Sequence, residues 1–174
     1  MLDCLIKYDK KKINIENYSL NEIWDNPDLK RKDQQNLNSF FWLFSLDLKS
    51  SKKDTQNVLY QWINTNNRYN SKNWKIDIIG KRIIAWISNS RLTYEDGSID
   101  YKDQFNGIIK KQINHLINEI ENSELINDKI IGCAAIILTG LSYPQNNDYL
   151  NSGLSLLKKL VKYSLDNDGF PKSR

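Results

Sequence analysis

The chain has 174 residues, with 25 Lys and Arg against 21 Asp and Glu, a formal net charge of +4 and a single histidine. That length is one domain or part of one, large enough to bury a core without covalent staples. Its 40% hydrophobic and 26% charged content is that expected of a soluble globular protein, and three prolines with seven glycines exclude a collagen-like or linker-like chain.

Residues 1–32 are polar and mixed and read as an irregular arm, with Trp24 as its anchor. From Asp33 a helical period takes over. Leu37, Phe40, Phe41, Phe44 and Leu48 mark one face, while Trp42, Leu43 and Leu46 make the other side apolar, which predicts a helix buried nearly all round. SSKKD interrupts it, and Ser51 is the expected N-cap of a second helix carrying Val58, Leu59, Trp62 and Ile63. NTNNRYNSKN reads as a polar loop, and WKIDIIGKRIIAWISNS then sets Ile79, Ile83, Trp86, Ile87 and Ser90 on one stripe. TYEDGSID is a loop with an Asp-Gly turn. The next helix runs from about Tyr101 to Asn122, with Phe105, Ile109, Ile113, Leu116 and Ile120 as its apolar stripe. ENSELINDK separates it from the strongly apolar DKIIGCAAIILTGLS. After YPQNN, a last helix carries Leu150, Leu154, Leu157 and Val161, and Asp168-Gly169 with Pro171 is a usual helix stop. Residues 33–174 therefore read as one all-α domain of about six helices. The short connections predict antiparallel hairpins in a row, in two layers.

The basic balance suits a polyanionic partner but does not single one out, because Lys, Asn and Ile are abundant together, as an AT-rich gene produces. Lys-Lys pairs at 52–53, 110–111 and 158–159 fall on separate helices, so no nucleic-acid-binding stripe is expected. Cys4 and Cys133 form neither a disulfide framework nor a zinc site, and no metal or other cofactor is expected. IIGCAAIILTGL is too short for a membrane span, and MLDCLIKYDKKK lacks the apolar centre of a secretory signal. The expected compartment is the cytoplasm, or the periplasm if the start lies upstream. There is no Gly-rich phosphate loop and no Ser-His-Asp or Cys-His signature.

Four residues stand out. His115 and its neighbour Asn114 each lie more than about 100° from the centre of their helix's apolar stripe, on opposite flanks. They read either as solvent-facing polar residues or as the border of a cleft. Arg82 lies beside the Ile79, Ile83 and Trp86 stripe; half-buried there, it wants an anionic ligand or an internal carboxylate such as Asp77. Trp42, Trp62 and Trp86 sit at core spacing, which leaves Trp74 in the polar loop as the best exposed aromatic platform for a sugar ring.

FFWLFSLDL, QWI, WKIDIIGKRIIAWI, NHL and a closing DGFPKSR occur in that order. Together they resemble the N-terminal α/α toroid region of the heparinase II/III-like proteins, a family that includes uronate polysaccharide lyases. The likeness covers most of the chain from Phe40 to Arg174 and lies in the ordered set, not in any one motif. It implies part of an incomplete α/α toroid of antiparallel helical hairpins, continued in the family by further helices and a β-sandwich domain, so the chain is expected to be C-terminally truncated. It also implies an acidic polysaccharide or oligosaccharide as partner, cleaved by β-elimination in the full-length protein. That reaction removes the proton α to a uronate carboxylate, whose charge must first be neutralised by a donor. Asn114 matches the family's Asn-His-Leu position and is the expected carboxylate clamp, with His115 in support and Arg82 and Trp74 as substrate contacts. The family's catalytic tyrosine lies beyond Arg174, and its acidic residue after Asp-Gly is replaced here by Ser173 and Arg174, so this segment alone is expected to be inactive. The alternative is a non-catalytic helical scaffold for protein–protein interaction.

Overall fold

The computed structural model describes Trp24 and residues 29–46, 51–143, 145 and 147–164. Among these residues the chain is all helical, with no strand. Seven α-helices follow in order: α1 Arg31–Asn38, α2 Lys52–Asn66, α3 Ile76–Ser88, α4 Ser90–Thr93, α5 Ile99–Glu119, α6 Ile126–Ser142 and α7 Asn147–Ser164. Short 3-10 turns occupy Phe41–Ser45 and Ile120–Asn122. Most of the 1–32 arm, Leu48 and the Asp168-Gly169 stop lie outside the described residues.

The single long helix expected from Asp33 through Leu48 is two pieces. α1 stops at Asn38, and Phe40 adopts a left-handed backbone at φ 55°. Such a conformation costs a non-glycine residue about 1–2 kcal/mol. Burial offsets it: Phe40 is fully enclosed, stacked on Trp24 at 5.3 Å and set edge-on to Trp62 and Trp86 at 5.7 and 5.2 Å. Trp24 is thus the anchor that the sequence suggests. The redirected chain carries Phe41 and Phe44 outward, 50% and 48% exposed, instead of into the core.

Of the two serine caps, the sequence reading predicts Ser51 and places Ser98 in a loop. Ser51 accepts the Asp54 amide at 3.2 Å to start α2, and Ser98 accepts that of Tyr101 at 3.2 Å to start α5. Between α4 and α5, Asp96 takes φ 61° in the Asp-Gly turn, a conformation aspartate tolerates.

The helices alternate in direction. Lys52 meets Asp96, Trp62 meets Trp86 and Asn66 meets Asn73, so α2 runs opposite to α3. Trp86 touches Phe105 while Arg82 reaches Gln112, so α5 also opposes α3. The starts of α3 and α6 meet at Ile76 and Gly132, and their ends share a groove, so these two run side by side in one direction. α5 and α7 run together the other way, linked by Asn114 to Tyr149 and Glu121 to Lys159.

Glycines set the tightest contacts. A Cβ on Gly80 would lie 2.7 Å from the Ile131 side chain, and one on Gly140 would lie 2.4 Å from the Leu150 backbone nitrogen. Only a missing side chain lets α6 approach α3 and α7 this closely. The stripe expected to seat α7 is partly misassigned. Leu154 and Val161 are exposed, and the helix instead packs through Gly153 against Ile136 and Ile137.

Candidate functional site

The loop from 67 to 75 is shaped by its asparagines. The Asn70 carbonyl accepts the amides of Asn73 and Trp74, its side chain accepts that of Lys72 at 2.8 Å, and the Asn73 amide group donates to Asn66 Oδ1 at 2.8 Å. These bonds fold the loop onto the flank of α5. There His115 Nε2 lies 3.1 Å from the Trp74 carbonyl. A carbonyl only accepts, so Nε2 carries the proton, and in the neutral ring Nδ1 holds the lone pair. The imidazole packs edge-on to Trp74 at 5.4 Å and against Tyr69 at 5.6 Å. Periodicity placed His115 off its helix's stripe. It is nonetheless half-buried, because the loop covers that flank.

Asn114, on the opposite flank, is exposed, and its Oδ1 accepts a long hydrogen bond of 3.4 Å from the Tyr149 hydroxyl of α7. Lys111 and Asn118 are exposed one turn away on either side along the same face of α5.

Arg82 and Trp74 are not where the sequence reading puts them. Trp74 is only 7% exposed and offers no platform; its indole N–H is buried without a partner among the described residues. Arg82 is 0% exposed and pairs with no carboxylate among the described residues. Its Nε donates to Gln112 Oε1 at 3.0 Å, and its two terminal nitrogens donate to the carbonyls of Asn38 and Asn73 at 2.9 and 3.0 Å. Its guanidinium carbon sits 4.1 Å from the centre of the Trp62 ring. Asp77, the expected internal partner, pairs instead with Lys81 at 3.1 Å. Burial pulls the Arg82 pKa down to about 9, still above neutral pH, so the guanidinium stays charged. It is a positioning residue: it ties α1, α5 and the 67–75 loop to α3.

Of the four predicted residues, the structure brings His115 and Trp74 into contact and sets Arg82 in the layer beneath, through Asn73 and Gln112. Asn114 stands apart on the surface. Tyr69 and Tyr149 were missed, since both reach α5 from other elements and helical spacing says nothing about them. No cluster of three or more His, Cys, Asp or Glu side chains suited to a metal occurs among the described residues, and no described helix is long and apolar enough to cross a membrane. The chain matches no family model, no curated protein and no solved structure.

Proposed function

We propose that the chain is the N-terminal helical part of a heparinase II/III-like protein whose full-length form binds or cleaves acidic, uronate-containing polysaccharide by β-elimination. The alternating helices, with α3 beside α6 and α5 beside α7, support an arc of hairpins of the incomplete-toroid kind. The observation that carries the functional reading is the exposed Asn114 amide, next in sequence to an imidazole fixed by the Trp74 carbonyl and flanked by the exposed Lys111. An amide donor beside a positive charge lowers the cost of the dianion that forms when the proton α to the carboxylate leaves. Arg82 plays no part at the substrate in this reading, and Trp74 acts only through His115.

The test uses the longest reading frame that contains this segment, incubated with a panel of uronate polymers and followed by the ultraviolet absorbance of the unsaturated product. Asn114→Ala is expected to lower turnover by about 10²–10³-fold, the effect of losing one donor at a developing charge. Absence of new absorbance on every uronate polymer removes the lyase claim. Turnover unchanged in Asn114→Ala removes Asn114 from the site.

A second reading, a scaffold for protein–protein contact, rests on a different observation. Tyr149 and Lys159 turn one side of α7 toward α5, while Leu154 and Val161 lie exposed on the other. On α6, Ile130 and Leu141 are exposed as well. A panel of apolar-to-glutamate changes at these four positions, scored by capture of a helical partner, separates this role from sugar binding.

A further inference from the structure

The ends of α3 and α6, the short α4 with Tyr94, and the first half of α5 enclose a groove of about 390 Å³. Its size falls at the lower end of small-ligand sites. Trp86 and Phe105, both buried, form its floor, their ring centroids 5.3 Å apart, and Tyr94 and Tyr143 stand half-buried at its sides. Above the floor runs a directed hydrogen-bond chain: the Tyr143 hydroxyl donates to Asn106 Oδ1 at 2.9 Å, and the Asn106 amide donates to the Tyr94 oxygen at 3.1 Å. The chain ends on the Tyr94 hydroxyl proton, which has no acceptor among the described residues. The Trp86 indole N–H is likewise buried without a partner there. The exposed Gln145 adds an amide at the rim.

Among the described residues, no charged side chain lines this groove. The Lys102 ammonium lies over the Tyr94 ring, 5.2 Å from its centre. A phosphate or carboxylate would therefore be desolvated without a counter-charge. Burial first, and then the neighbouring Tyr94, push the Tyr143 hydroxyl up to about 12, so this phenol remains a neutral donor at physiological pH. The half-buried rings of Tyr94 and Tyr143 offer apolar edges to the C–H side of a pyranose, and the Tyr94 hydroxyl proton with the exposed Gln145 amide suits its hydroxyls. We infer that this groove is a binding site for a neutral, hydroxyl-rich sugar ring. It lies eight residues along α5 from Asn114, about 12 Å of helix, and stands on its own lining independently of the acidic-polymer reading.

The experiment titrates the full 174-residue chain, isotope-labelled, with maltotriose, cellotriose, chitotriose and trigalacturonate, following the assigned indole N–H resonance of Trp86. At least one neutral trisaccharide is expected to move that resonance saturably. Tyr94→Phe and Tyr143→Phe, which keep the rings and remove one hydroxyl each, are expected to weaken that binding about tenfold while melting like the parent. Gln145→Ala, at an exposed side chain, gives a third probe should either melt early. Asn114→Ala should leave the neutral titration unchanged, which separates this site from the acidic one. The inference is overturned if no neutral trisaccharide gives a saturable shift. It is equally overturned if the variants bind undiminished or only trigalacturonate moves the resonance.

Discussion

Replacing Arg82 tests whether a buried guanidinium holds this fold together. Arg82→Met removes the charge and leaves Gln112 Oε1 and the carbonyls of Asn38 and Asn73 facing an apolar side chain. Each orphaned acceptor costs about 1–3 kcal/mol, or about 3–9 kcal/mol together. Losing the contact with Trp62 adds to this. Relief of the buried charge's own desolvation, several kcal/mol, works the other way. The net expectation is a destabilisation of about 2–4 kcal/mol. Arg82→Lys should be no milder, at about 3–5 kcal/mol, because a point ammonium cannot span three acceptors set for a planar fork and remains charged in a dry site. Urea unfolding at unchanged m-value measures both, and for a chain of this size the methionine variant should melt about 4–16 °C earlier. If Arg82→Met costs less than about 1 kcal/mol, or Arg82→Lys is close to the parent, the guanidinium is not the tie described here.

Gly107 and Gly140 make an opposed pair. A Cβ on Gly107 meets nothing within 4 Å, so Gly107→Ala should stabilise α5 by about 0.5–1 kcal/mol, whereas Gly140→Ala should cost at least about 3 kcal/mol because the new carbon strikes Leu150 backbone; thermal melts decide both. Ser51→Ala and Ser98→Ala should each cost about 1 kcal/mol in urea unfolding through loss of a cap. The Lys159–Glu121 pair at 2.6 Å gives a pH test. The hydrogen bond from Lys159, and then its charge, hold the Glu121 carboxyl below its ordinary value of 4.5, so the stabilisation is fully present above that pH and fades as pH falls through the depressed folded value. The melting difference between the parent and Lys159→Ala should therefore shrink on acidification, and a difference independent of pH would rule the pair out as its source.

Most helices, the Ser51 cap and the turn at Asp96-Gly97 were legible because each depends on spacing or on one residue's local chemistry. The break at Phe40 was not. Nothing in LNSFFW marks a left-handed residue, and the conformation is chosen by tryptophans at 24, 62 and 86, which only the folded chain brings together. Arg82 failed for a related reason. Its place near an apolar stripe signalled partial burial, but its acceptors are two backbone carbonyls and a glutamine, and backbone acceptors leave no trace in composition. His115 was placed on the correct flank, but the loop that covers it belongs to another part of the chain. The exposed Leu154 and Val161 show the converse limit: a regular apolar stripe says that a helix face is greasy, not that anything described here covers it.

All five tryptophans fall between positions 24 and 86, and none lies in α5, α6 or α7, whose 21, 17 and 18 residues supply much of the helical signal. Four of the five are buried. Emission from this chain thus reports on the first half and on the docking of α5 through Trp74 and Trp86, while α7 can melt in the dark. Ultraviolet dichroism sees every helix. A gap between the two optical curves would time the departure of the C-terminal hairpin from the rest.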